Sequence, residues 1–356
     1  MDYDAGAMTV PVLASHILFA IALFCVSVAV TYFVVRFGIL DEPNHRSSHV
    51  RATPSTGGIA IVATFAIGFV IVWAFSDQAG LSTFHLFGFA ISALGIGFVG
   101  FLDDLKRLKT FKIKLGAQIA ASLSLLAFEI VFSKISLPFI GAIDLGWMGY
   151  PLTVLWVVAL TNMFNFMDGL NGLAGGTAVT VSAFLCAVTF IEGSHFVYIF
   201  CYIMAAGAAG FVVFNFPNAR LFMGDVGSQF LGFSFASLAV IAAEIDASRT
   251  SFLVVPLLFF NFIFDTIFTF CRRAMRGENL TQAHRTHLYQ LLNQLGLSHV
   301  QVSLFHICVT VAQGVGALIL IGYGPDKRML VFLPFLGFQI IYTAVIIAFA
   351  RKRGII

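Results

Sequence analysis

Two adjacent carboxylates, Asp103 and Asp104, close an apolar run in the segment Gly100-Phe-Leu-Asp-Asp-Leu-Lys106. Neighbouring carboxylates repel each other, so such a pair at a membrane edge points to a bound divalent cation or a nearby base. Ion pairing of a helix end with Lys106, Arg107 and Lys109 is the plainer alternative. A third acid, Asp225, stands in Phe222-Met-Gly-Asp-Val-Gly-Ser228, where another apolar run begins. Its flanking glycines let backbone approach a ligand closely, and a helix start offers N–H groups to phosphate oxygens; a capping Asp would need neither glycine. A fourth, Asp168, shares the stretch Asn162 to Gly176 with Asn162, Asn165 and Asn171. This oxygen-rich set without sulfur suits Mg²⁺, or Mn²⁺ in its place, bridging phosphates better than it suits zinc.

Basic groups complete the list. His284, Arg285 and His287 follow Arg272, Arg273 and Arg276 in one polar stretch. Such a loop can contact phosphates, and one histidine can move a proton; attraction to anionic lipid explains the arginines equally well. Arg220 reads as a phosphate partner or as a positive anchor at the membrane surface, and His45, Arg46, His49 and Arg51 carry the same two readings. Asp265 lies inside an apolar run with Arg272 seven residues on, which favours a structural ion pair.

The elements that must position these groups are membrane helices. Of 356 residues, 59% are hydrophobic and 10% charged, against about 25% charged in a soluble globule. Apolar runs near the ~20 residues that cross a bilayer start at about residues 11, 57, 84, 113, 151, 177, 195, 228, 251, 300 and 329, predicting an all-α integral membrane protein of about eleven spans. No soluble domain interrupts them, so residues 1–356 read as one polytopic unit, with a small hairpin between residues 135 and 150. Of the 20 Lys and Arg, 16 fall in the odd-numbered loops and the C-terminus. By the positive-inside rule this puts the N-terminus outside and the C-terminus in the cytoplasm. All the polar clusters then face the cytoplasm and can form one composite site. The five scattered cysteines lack disulfide or metal spacing, and the 41 Phe are expected to pack against lipid tails. Nothing suggests a nucleic-acid partner. A secondary transporter is the competing class, although the acids gather at one face rather than at the bilayer midplane.

Taken together, Thr53-Pro54, Gly57-Gly58, Gly100-Phe-Leu-Asp-Asp104, Asn162-xx-Asn165-xx-Asp168-Gly, Phe222-Met-Gly-Asp-Val-Gly-Ser228, Asp265-Thr266 with Arg272-Arg273, and the His284 to His287 loop resemble the polyprenyl-phosphate N-acetylhexosamine-1-phosphate transferases, bacterial glycosyltransferase family 4. The resemblance covers nearly the whole chain. It implies a multi-pass protein of the bacterial inner membrane that joins the phosphate of undecaprenyl phosphate to the β-phosphorus of a UDP-N-acetylhexosamine, releasing UMP with Mg²⁺. It carries metal binding to Asp225, catalytic roles to Asp103, Asp104, Asp168 and His284, and substrate contacts to Asn162, Asn165, Asn171, Arg220, Arg285 and His287. A homodimer is compatible with it. Two departures stand out: Asn171 replaces an acid found in many members, and His284-Arg-Thr-His287 is not a consecutive-His pattern. The second favours the O-antigen-initiating branch, in lipopolysaccharide and cell-envelope synthesis, over the MurNAc-pentapeptide branch.

Overall fold

A computed structural model of the chain describes residues 10–38, 40–41, 53–75, 82–108, 110–137, 141–194, 196–282 and 284–356. Where apolar side chains ring the whole circumference, the backbone satisfies its own polar groups as helix, the only open-ended arrangement that hydrocarbon tolerates. The first eight helices are α1 (Val10–Phe37), α2 (Gly58–Phe75), α3 (Thr83–Asp104), α4 (Phe111–Ala127), α5 (Gly149–Phe166), α6 (Leu173–Ile191), α7 (Phe196–Asn215) and α8 (Gly224–Glu244). They are followed by α9 (Val254–Leu258), α10 (Phe260–Met275), α11 (Leu288–Gln294), α12 (His299–Ile321), the single turn α13 (Pro325–Arg328) and α14 (Phe332–Lys352). Among the described residues, nine helices are long and apolar enough to cross a membrane. The other two expected runs are α4, with 17 residues, and the α9–α10 pair, interrupted at Phe259. The chain is an all-α integral membrane protein. Its strands are two short antiparallel pairs, β1 (Leu40–Asp41) with β2 (Thr53–Pro54) and β3 (Lys134–Leu137) with β4 (Gly141–Asp144). The second pair is the hairpin expected after residue 135.

Helix α8 is the axis: Val226 through Ala242 are all buried, with α3 and α5 packed along it. Around it the phenylalanines pack on one another, and here the expectation that they face lipid needs correction. Phe65 lies 5.0 Å from Phe230, 5.5 Å from Phe200 and 5.7 Å from Phe89, ring centre to ring centre, and all four side chains are buried. Edge-to-face aromatic packing of this kind fills the core, while Phe33, Phe98 and Phe349 are among those left exposed.

The break between α9 and α10 frees backbone groups inside the bundle, and side chains of other helices recover them. In the amide orientation that satisfies both neighbours, Gln313 of α12 donates to Leu258 O at 3.2 Å and accepts from Asn261 N–H at 3.1 Å. Asn261 also meets His306 at 3.2 Å, and His306 meets the Tyr342 hydroxyl at 3.2 Å. The long polar stretch after α10 was expected to be loop throughout; it contains α11, whose entry is closed by a hydrogen bond from His287 N–H to Gln290 Oε1 at 3.2 Å.

Candidate active site

Helix α8 begins at Gly224, a turn earlier than the sequence suggested, so Asp225 lies inside its first turn. The N–H groups at a helix start need acceptors from elsewhere. Asp104, the last residue of α3, supplies them: its carboxylate accepts from Asp225 N–H at 2.8 Å and from Val226 N–H at 3.0 Å. Two hydrogen bonds to one carboxyl at the start of the helix lock α3 to α8. The expectation that these N–H groups are free for phosphate is therefore corrected, because a protein carboxylate already occupies them. The contact needs glycine: Gly224 has φ of +71°, and a Cβ there would strike Ser55 O and the Asp104 carboxylate. Asp103 and Asp104 are thus unequal, since Asp104 turns into the protein to hold α8.

The Asp225 side chain is held from three sides. Asn165 of α5 donates to Oδ1 at 3.0 Å and Gln229, one turn on, donates to Oδ2 at 3.0 Å. Lys114 of α4 makes an ion pair with Asp225 Oδ2 and another with Asp103 Oδ2 at 2.7 Å. One ammonium therefore joins carboxylates from α3 and α8, where the sequence paired Asp103 with Lys106, Arg107 and Lys109. Behind it, away from the helix ends, lies a layer of amides. Asn162 donates to Gln118 Oε1 at 2.7 Å, and Gln118 donates to Gln229 Oε1 at 3.3 Å, with Gln118 and Gln229 both buried. Asn165 also donates to Ser228 Oγ at 2.7 Å. Lys114, Gln118 and Gln229 were not singled out from sequence. Their signal was present as a Lys–Gln pair and an Asp–Gln pair, each at four-residue spacing on an apolar helix.

The histidine loop is built on a second buried carboxylate. Asp265 accepts from Leu288 N–H at 2.9 Å, Tyr289 N–H at 3.1 Å and Thr269 Oγ at 3.1 Å, and it meets His287 Nδ1 at 3.1 Å. It holds the start of α11 as Asp104 holds that of α8. Arg272, its expected partner, instead donates to Thr286 O, while Arg273 ties Glu278 and Asn279 O back to α10. Among the described residues Arg272 Nε and Nη1 have no partner although buried, leaving donors that suit a phosphate.

Two contacts set this loop against the Asn162–Gly176 stretch. The Tyr289 hydroxyl, another group the sequence did not reveal, donates to Phe166 O at 2.9 Å, and the His287 ring stacks on Phe166 with centres 6.0 Å apart. Next to them is Asp168, half-buried, whose side chain has no hydrogen-bond partner among the described residues. Burial, and then the negative charge of Asp225, raise its carboxyl to about 7. His284 lies 4.9 Å from His287, ring to ring, and accepts at Nδ1 from Thr286 N–H at 3.3 Å. Burial first, then electrostatic interaction with neighbouring His287, Arg273 and Arg272, push it down to about 4, so its imidazole is neutral at pH 7.

Not every expected group is brought in. The Asn171 side chain donates to Pro217 O at 3.2 Å and meets His299 at 3.2 Å, tying the stretch to α12 and the α7–α8 connection instead of to the carboxylates. Arg220 is exposed, and among the described residues its hydrogen bond is through the backbone, to Phe214 O at 2.9 Å. Arg285 is half-buried beside the histidines, its carbonyl taken by Gln294 at 2.5 Å. His45, Arg46, His49 and Arg51 lie outside the described residues.

The family model for glycosyl transferase family 4 matches residues 86–243, the segment that carries Asp103, Lys114, Asn165 and Asp225. A probable undecaprenyl-phosphate N-acetylglucosaminyl 1-phosphate transferase of Bacillus subtilis is 30% identical over 290 residues, 81% of this chain and 79% of that protein. The chain belongs to the polyprenyl-phosphate hexosamine-1-phosphate transferase family. Other members are more distant in coverage. A phospho-N-acetylmuramoyl-pentapeptide-transferase of Listeria monocytogenes is 30% identical over 64% of this chain and 74% of its own length. One of Clostridium perfringens is 34% identical over 58% and 66%. In this family the chain is an enzyme that transfers a hexosamine-1-phosphate to undecaprenyl phosphate. None of these three transferases is named for O-antigen synthesis, so the expectation of that branch gains no support from them.

Proposed function

We propose that the protein transfers N-acetylhexosamine-1-phosphate from a UDP-sugar, UDP-GlcNAc first among them, to undecaprenyl phosphate at the cytoplasmic face of the bacterial inner membrane. An oxygen of the lipid phosphate attacks the β-phosphorus of the donor, the bond from that phosphorus to the bridging oxygen breaks, and UMP leaves with the electron pair. The likeness to the N-acetylglucosaminyl 1-phosphate transferase of Bacillus subtilis supports GlcNAc as the sugar. The 16 of 20 Lys and Arg in the odd loops and the C-terminus support the cytoplasmic side.

The observation that carries this reading is the pair of carboxylates from different helices, Asp103 and Asp225, sharing one cation beside a basic loop. A phosphoryl transfer needs positive charge between and around anionic groups, and positioning supplies most of its rate. The residues fit a hard divalent ion: oxygen donors surround a place where an ammonium already sits. No group of three or more His, Cys, Asp or Glu placed to hold a metal occurs among the described residues. Asp103 and Asp225 offer two carboxylates, and Mg²⁺ typically takes one or two and completes its shell with water and substrate phosphates. When bound it would neutralise charge developing on the departing phosphate. Asp225, oriented by Asn165 and Gln229, would hold it, with Asp103 beside it.

The remaining groups bind and orient. Arg272, with two donors left unpaired among the described residues, and Arg285 would bind phosphate oxygens, and neutral His284 would donate or accept a hydrogen bond rather than add charge. A phosphate monoester with second pKa about 6 is already largely dianionic at pH 7. Asp103 is therefore assigned to orienting charge and not to removing a proton. If Asp103→Asn gives a turnover that rises with pH where the wild type is flat, a base role returns. A panel of UDP-sugars scored for lipid-diphospho-sugar tests donor and reaction together; solute movement without that product would favour a transporter.

A further inference from the structure

Lys114 reaches the site from α4 with its ammonium in contact with both Asp103 and Asp225. Its ammonium stands where two carboxylate oxygens converge, which is where a divalent ion using the same oxygens would have to stand. We propose that Lys114 is a resident counter-ion that holds the Asp103–Asp225 pair together without metal and must move aside for the divalent cation to enter. The inference rests on the cation-dependent transferase reading above.

Three features support exchange over a fixed ion pair. Two carboxylates this close, left without a cation, repel in a partly desolvated setting, so the empty pair needs a substitute charge. The Lys114 side chain is 22% exposed, and those of Asp103 and Asp225 are 24% and 20% exposed, so the long lysine stem has an open side to swing into. Helix α4 does not depend on the lysine for its place. One turn on, Gln118 donates to Gln229 and exchanges hydrogen bonds with Asn162, at distances of 2.7 to 3.3 Å, so this rung persists when the ammonium leaves. The same rung keeps Gln229 beside Asp225 as the cation changes.

The consequence is a change in metal affinity when the lysine is removed. Removing the lysine should strengthen metal binding while harming the metal-free protein. Full-length protein in detergent would be titrated with Mn²⁺ alone, without nucleotide or lipid, by calorimetry. Lys114→Met is expected to bind Mn²⁺ at least about ten-fold more tightly than wild type, a 1.4 kcal/mol effect. Lys112→Met, which removes an exposed charge from the same helix, should change binding by less than about three-fold because solvent screens it. Equal or weaker binding by Lys114→Met, or equal tightening by Lys112→Met, overturns the inference.

A second measurement uses the wild-type chain and so does not depend on a variant folding. Amine labelling read by peptide mass spectrometry should find Lys114 protected without metal and several-fold more reactive with Mn²⁺. Unchanged or reduced labelling overturns the exchange. Cation-dependent turnover measured on the same sample separates the two ideas: if turnover requires the cation while Lys114 behaves otherwise, the functional reading stands and only the exchange falls. If turnover ignores the cation, both fall.

Discussion

Asp104 and Asp225 are joined through the backbone: the carboxylate at the end of α3 accepts the N–H of Asp225 at 2.8 Å, and that of the next residue at 3.0 Å. The acid at 104 thus fixes the helix that presents the acid at 225. Asp104→Ala removes both bonds and leaves the start of α8 without its acceptors, at a cost of about 1–3 kcal/mol for buried donors left unsatisfied. Thermal unfolding in detergent should show a clear fall for Asp104→Ala. Asp103→Ala, which leaves the start of α8 with its Asp104 acceptors, should lower the transition less.

Asn165 tests whether the orientation of Asp225 matters to turnover. Its amide holds both Asp225 Oδ1 and Ser228 Oγ. Asn165→Ala frees the carboxylate on one side, and a loss of about ten-fold in kcat corresponds to one hydrogen bond of roughly 1–1.5 kcal/mol. Steady-state assays should show the loss in kcat more than in the KM for the lipid acceptor.

Asp168 gives a pH signature. Its carboxyl is raised from 3.8 to about 7, so the folded protein holds a proton there that the unfolded chain releases. Stability from this group is therefore fully present below about pH 4 and is lost as pH rises through 7. The melting temperature of wild type relative to Asp168→Asn should fall across that window and level off above it. A difference that does not change between pH 4 and 8 would contradict the assignment.

Tyr289 is the bolt between the histidine loop and α5. Tyr289→Phe keeps the ring in its buried slot and removes the bond to Phe166 O and the one the hydroxyl accepts from Gln290 Nε2 at 3.1 Å. The stability cost should be small, about 0.5–1.5 kcal/mol. If the loop contacts the nucleotide sugar, the KM for the donor should rise while that for undecaprenyl phosphate stays within about two-fold, as expected for an uncoupled site.

The acids of this site were legible in the sequence because carboxylates and amides are rare at the ends of apolar runs. Asp103, Asn162, Asn165 and Asp225 are indeed brought together. What the sequence could not show was which partner each one takes. Lys114 looked like one more cytoplasmic-side lysine, and Asp104 like half of an equivalent pair. The partner they share, the Asp225 turn, lies more than a hundred residues away, across helices whose relative rotation no local pattern fixes. Asp265 was matched to Arg272 by helix spacing, but a helix start with unsatisfied N–H groups was the stronger claim on it. The eleven apolar runs were visible for the same reason the fold is helical, and the interruption at Phe259 was hidden because Gln313, which repairs it, lies on another helix.

The most direct test of the account is a single assay of purified protein with UDP-GlcNAc, undecaprenyl phosphate and Mg²⁺, following UMP and lipid product together, in wild type and Asp225→Asn. The account predicts UMP and lipid-diphospho-sugar in equal amounts, loss of both on chelation, and a fall of at least about 100-fold in the variant, as removal of a key electrostatic group produces. UMP formed without the lipid product, or an Asp225→Asn variant that turns over like wild type, would contradict it.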